Sequence, residues 1–181
     1  MKDSEKSHTG NGDGPYSIGV TGHRHLPQER LQNLSAEIKA FYQNEIAQHG
    51  TENIAVLSSL AEGADTLCAK LALDEGLRLT VPLPMNALEY RKDFSISAAA
   101  EFDCLLSLAD HVFVVQPEEP LPPGPQRGFL YRQAGICLAR HCDVLLAVWD
   151  GMEMDTRDGA GTWETIKLAQ ILGKPIRRVP I

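Results

Sequence analysis

The sequence predicts an α/β protein with a doubly wound, mainly parallel sheet of about six strands and helices on both faces. Three observations carry that expectation. From Tyr16 onward, short β-branched or aliphatic runs alternate with longer segments of helical period, as in successive βαβ units. One run, Val144-Leu145-Leu146-Ala147-Val148, is apolar on both alternating faces, as a central strand covered on each side requires. The 181 residues, 43% hydrophobic and 23% charged, have the composition of an ordinary globular chain and the length of one domain.

Met1 to Gly14 is polar, carries three glycines in its last five positions and buries too little to order itself. Residues 1–14 are therefore expected to be a flexible tail ahead of a single domain spanning 15–181. Candidate strands follow at Ser17–Thr21, Ile54–Ser58, Leu79–Leu83, His111–Val115, Asp143–Trp149 and Pro175–Val179. Between them, Leu31, Leu34, Ile38 and Phe41 recur at helical steps, as do Ala64, Leu67, Cys68, Leu71 and Ala72. Ser95–Leu108, Phe129–Arg140 and Thr162–Leu172 read the same way, which makes Cys68 and Cys137 small buried hydrophobes. The stretch Gln116–Gln126 holds prolines at 117, 120, 122, 123 and 125, which exclude helix and central strand alike. It reads as a stiff surface loop after the fourth strand.

Four cysteines form no CxxC pair, and no basic-then-apolar leader opens the chain, so a reduced cytoplasmic protein is expected. The apolar runs are far shorter than the ~20 residues of a membrane span, so no membrane partner is expected. Seventeen basic residues against 24 acidic give a net charge of −7, which argues against a broad basic surface, and no nucleic-acid polymer is expected as a partner.

Three junctions place small residues where a strand ends and a helix begins: Val20-Thr21-Gly22-His23-Arg24, Ser58 to Asp65, and Asp150-Gly151 followed by Gly161-Thr162-Trp163-Glu164. A helix start carries unpaired N–H groups and a partial positive charge, so glycine there lets an anion reach the backbone. Phosphate is the natural occupant. Arg24, Arg91 and Arg132 suit phosphate oxygens, and Thr21, Ser58, Ser59 and Thr162 offer hydroxyl donors. Glu62, Asp150 and Glu164 suit ribose hydroxyls or a positive charge developing on a sugar carbon. His23 and His25 lack a third metal ligand at a recognisable spacing; no metal or other cofactor is expected, and His23 reads as a hydrogen-bonding group at the ligand edge. No GxSxG, GxxxxGK[ST] or HExxH is present.

In order and strand context, IGVTGHR, VLSSLAEGADTLCAKLALDEGLRLTVPLP, YRQAGICLARHCDVLLAVWDG and GAGTWETIKLAQ resemble the SLOG superfamily of Rossmann-like domains. That superfamily includes the Lonely Guy phosphoribohydrolases, the DNA-processing protein A domain and nucleotide sensors of bacterial defence systems. The likeness is nearest to a sensor-like branch with GHR after the first strand. It implies a Rossmann-like fold with a nucleotide site built from Gly22, His23 and Arg24, from Glu62, Gly63 and Asp65, and from Asp150, Gly151, Gly161 and Thr162. Relatives often pair, so a homodimer is implied as well. In the phosphoribohydrolases the last motif is one piece, PGGxGTxxE, and its final Glu acts in cleavage. Here residues 152–158 split the motif, Thr165 takes that place, and Glu164 stands one position earlier. One position is ~100° on a helix, which turns a carboxylate away from the usual target.

Three functions follow as expectations. The first is a sensor or regulatory domain binding a small nucleotide or derivative and acting through an unidentified effector protein. The second is a hydrolase that cleaves the N-glycosidic bond of nucleoside 5′-monophosphates, with Glu164 or Glu62 as the catalytic carboxylate. The third is a protein-interaction module without a ligand.

Overall fold

A computed structural model of the protein describes residues 14–123, 126–153 and 161–181. Most of the expected tail, residues 1–13, lies outside the described residues, as do two residues of the proline-rich loop (124–125) and residues 154–160.

Six strands form one sheet: β1 (Tyr16–Gly22), β2 (Ile54–Leu57), β3 (Arg78–Leu83), β4 (His111–Val114), β5 (Val144–Val148) and β6 (Ile176–Val179). Their spatial order is β4-β3-β2-β1-β5-β6, and every pairing is parallel. The helices are α1 (Leu31–His49), α2 (Ala64–Asp74), α3 (Ala87–Tyr90), α4 (Ile96–Leu108), α5 (Arg127–His141) and α6 (Thr162–Ile171). This is the Rossmann-like α/β fold the sequence predicts.

Side chains alternate across each strand, so one run of residues supplies two layers. On one face Ile18, Val20, Ile54, Val56, Val144, Leu146 and Val148 meet Leu34, Ile38, Phe41 and Tyr42 of α1 and Ala64, Cys68, Leu71 and Ala72 of α2. On the other, Leu145, Ala147 and Trp149 meet Ile166 and Ala169 of α6, while Ala55 and Leu57 meet Leu138 of α5. Burying each large aliphatic chain contributes about 1.5–3 kcal/mol. β5, buried at every position, is the doubly covered strand its apolar run requires.

From β1 the chain adds strands outward to β4, then returns to the other side of β1 to lay down β5 and β6. The direction reverses between β1 and β5. Loops leaving neighbouring strands there part to opposite faces and open a crevice at the carboxyl ends.

Three details differ from expectation. The segment after β3 folds into α3, capped by Asn86, whose side chain accepts the Leu88 N–H at 2.9 Å. Four residues are too few for a periodic signal, yet Tyr90 at its end is buried among the rings of Phe94, Phe102 and Tyr131. β4 sits at the sheet edge with Val112 and Phe113 each 44% exposed, so it is not covered on both sides. Cys137, expected to be buried, is half-exposed on α5, turned away from the inward-facing Ala134 and Leu138.

Candidate functional site

The β1–β5 crevice holds a cavity of about 500 Å³, within the size range of small-molecule sites. Its floor is the end of β1, where Thr21 is buried and Gly22 passes against its neighbours. A Cβ on Gly22 would lie 2.5 Å from that of Ala64 and 2.6 Å from the Val148 carbonyl. The backbone of His23 ties the next turn down on both sides: its N–H donates to Val148 O at 3.1 Å and its carbonyl accepts from Ala64 N at 3.0 Å. His23 Nε2 lies 3.1 Å from Asp150 Oδ1. Arg24 places its guanidinium 5.5 Å from the centre of the Tyr131 ring and makes no ion pair among the described residues.

The second junction is closed. Gly63 has φ +93°, a left-handed value that favours glycine, and a Cβ there would stand 2.2 Å from the Arg24 carbonyl. The start of α2 is sealed by its own chain: the Ala64 N–H goes to His23, the Thr66 N–H to the Ala61 carbonyl, and the Thr66 hydroxyl to the Gly63 carbonyl. Ser58 is wholly buried; its hydroxyl donates to the Asp65 carbonyl at 3.1 Å and accepts the Leu60 N–H at 3.2 Å. Between them Leu60 takes φ 57°, a strained value for a branched side chain, held by its complete burial. This turn directs the Ala61 N–H at the Asp65 carboxylate, 3.4 Å away.

Asp65 is 7% exposed and lines the cavity. Burial pushes its carboxyl up to about 7, against the opposing pull of the Ala61 N–H, the Arg24 charge and the Ser59 N–H. At the cavity edge the Met152 N–H, and after it His23, hold the Asp150 carboxyl below the ordinary carboxylate range. Two acids on one cavity are thus driven in opposite directions, a pattern typical of functional sites.

The third junction faces the cavity. Gly161, Thr162, Trp163 and Glu164, the cap and first turn of α6, all line the cavity, so the positive end of that helix faces it. Glu164 is therefore part of the cavity wall. Thr165, one position on, lines the cavity as well and also meets α5, where its Oγ1 would stand 2.6 Å from a Cβ on Gly135. Trp163 stacks on Trp149, with ring centroids 5.6 Å apart and planes 7° from parallel. Arg178, from β6, lies 5.0 Å from the centre of the Trp149 ring and donates to the Asp150 carbonyl at 2.8 Å. Gly151, with φ +92°, passes beneath that guanidinium.

The cavity thus brings together Thr21, Gly22, His23, Arg24, Asp65, Asp150, Gly161, Thr162 and Glu164. It leaves out Gly151 and four others. Glu62 accepts from the Ser95 hydroxyl at 2.9 Å beside a separate groove; Arg132 pairs with Glu119 at 3.1 Å and lies over Phe129; Gly63 and Ser58 are packed into the α2 turn. Arg91 is paired with Asp103 on the surface. Sequence reading missed Trp149, Trp163, Tyr90, Tyr131 and Arg178. The two tryptophans had a visible signal: they are the chain's complete complement, and both flank the last junction.

A wholly parallel sheet reversing direction at β1/β5, with a cavity at that point, defines the Rossmann-like class to which the SLOG domains belong, and solved structures carry the same fold. DNA processing protein A from Streptococcus pneumoniae superposes with a TM-score of 0.61 at 18% identity, covering 92% of this chain and 51% of that one. DNA processing protein A from Helicobacter pylori, solved for its single-stranded DNA binding mode, gives 0.59 at 15% identity over 93% and 66%. A structural-genomics target, TM1055, gives 0.51 at 16% identity over 89% and 72%. The chain spans about half the length of the Streptococcus protein. No family model and no curated protein matches the sequence. The expectation that net charge excludes a nucleic-acid polymer is corrected by these neighbours, since a protein of this fold binds single-stranded DNA. A sum over the whole chain does not report where individual cations and rings lie. No helix among the described residues is long and apolar enough to cross a membrane.

Proposed function

We propose that the β1–β5 cavity binds a nucleotide or nucleotide derivative and that the protein acts as a sensor or regulatory domain through its occupancy. The observation that carries this is the first turn of α6 and Arg24 lining one cavity, with no described carboxylate within ion-pair distance of that guanidinium. Backbone N–H groups at a helix start and one guanidinium make a local positive site for phosphate in an acidic protein. Among the described residues the first turn of α6 faces the cavity, which suits a phosphoryl group there. Melting the protein with AMP, CMP, ADP, cyclic AMP or ADP-ribose tests this, because a ligand at a hundred times its Kd stabilises the folded state by about 2.7 kcal/mol. An unchanged melting temperature across the series refutes the reading, and a short oligothymidylate belongs in the same series.

A second reading rests on Glu164 in the cavity wall. Water would replace the base at the anomeric carbon of a nucleoside 5′-monophosphate, giving free base and ribose 5-phosphate, with the carboxylate stabilising the sugar cation. Chromatography of the AMP and CMP samples from the same experiment decides it: release of free base supports hydrolysis, and intact nucleotide rejects it.

A further inference from the structure

We propose that Trp149 and Trp163 form a stacking platform for the nucleobase, making the aromatic base, and not only the phosphate, a recognised part of the ligand; this rests on the nucleotide reading of the same cavity. Both tryptophans line the cavity, and the chain has two. Trp149 is 7% exposed and fixed, with Arg178 over its ring and Trp163 stacked on it; Trp163, half-buried, opens further to solvent.

The offset of the stack matters. Carbon surfaces touch at about 3.5–4 Å, so parallel rings with centroids 5.6 Å apart are slipped sideways by roughly 4 Å. Trp149 is buried under Arg178 and Trp163, whereas the half-buried Trp163 keeps part of its ring uncovered by Trp149, and a planar ring can continue the stack there. The rings stand between two cations, Arg178 at 5.0 Å from the Trp149 centre and the Lys167 ammonium at 5.8 Å from that of Trp163. Trp163 directly follows Thr162 at the start of α6, so the platform and the phosphate-facing helix terminus sit on adjacent residues. A ligand whose phosphate lies at that terminus reaches the indole with its base.

The experiment uses the chain's own fluorescence, because both emitters lie at the site. AMP, CMP and ribose 5-phosphate are titrated into wild type, Trp163→Phe and Trp163→Leu, by emission and by calorimetry, with melting curves confirming that each variant is folded. AMP is expected to bind more tightly than CMP and CMP more tightly than ribose 5-phosphate, with emission changes for the two nucleotides. Trp163→Leu is expected to weaken AMP about tenfold more than ribose 5-phosphate, since base–aromatic stacking contributes about 1–3 kcal/mol per base, with Trp163→Phe in between. AMP binding no tighter than ribose 5-phosphate, or equal AMP affinity in a folded Trp163→Leu, overturns the platform and leaves the phosphate site standing. No binding of any of the three overturns both readings. Thymidine 5′-monophosphate and a short oligothymidylate, run in parallel, distinguish a free nucleotide from a DNA strand as the source of the base; in either, loss on Trp163→Leu supports the platform and indifference overturns it. Should Trp163→Leu fail to fold, Trp163→Phe and the wild-type emission comparison decide.

Discussion

Asp65 sits in the first turn of α2 with its carboxyl 7% exposed and raised to about 7 from an ordinary 3.8. The folded protein therefore holds that proton at a pH where the unfolded chain has released it. The resulting stability is fully present below about pH 4 and is lost as pH rises to about 7. In Asp65→Asn this slope is absent, so the stability of the variant relative to wild type should climb across that window by an amount on the order of 4 kcal/mol, read by urea unfolding at several pH values. Parallel curves for the two proteins would contradict the burial argument. Gly63→Ala combines a left-handed φ with a backbone clash and is expected to lower stability by more than about 2 kcal/mol in the same assay. The sequence marked Gly63 as small but not why: glycine beneath a phosphate and glycine beneath a neighbouring carbonyl read alike, and only the path of the β1 loop separates them. Glu62 and Arg132 were misplaced for a related reason, since a charged side chain reaches several ångströms and its direction depends on partners such as Ser95 and Glu119 that are distant in sequence.

Long elements were legible because each repeats its signal. β5 is apolar at every position and α1 shows its buried face over several turns, whereas α3 has room for neither and was not read from the sequence. Two interlocks at this scale can be tested. Ser95 caps α4 by accepting the Ala98 N–H and also holds Glu62, so Ser95→Ala should lose about 1 kcal/mol by chemical denaturation. α5 and α6 meet at Gly135, where an added Cβ would press on Thr165 Oγ1 at 2.6 Å. Gly135→Ala is expected to lose about 1–3 kcal/mol, and adding Thr165→Ala should recover part of that loss despite its own deleted hydrogen bond to Gly161. Strict additivity of the pair would show that the helices do not meet there.

Across the whole molecule the sheet has unequal ends. The β4 edge exposes Val112, Phe113 and Val114 beside an unpaired backbone, an arrangement that recruits other strands when protein is concentrated. Phe113→Lys should slow heat-induced turbidity while shifting the melting temperature little, which light scattering during a thermal ramp would record. The sheet's connectivity has a consequence in time. The Ser17 N–H is bonded to the Asp143 carboxylate across 126 residues of chain, and Ile18 lies in register with Val144. Strand pairs of such wide separation close slowly, because the loop between them must be ordered before the contact repays it. During synthesis β1 to β4 and their helices can assemble while β1 still presents one open side. The cavity comes into being when β5 docks there and α6 follows, so ligand competence comes after β1 to β4 have been made.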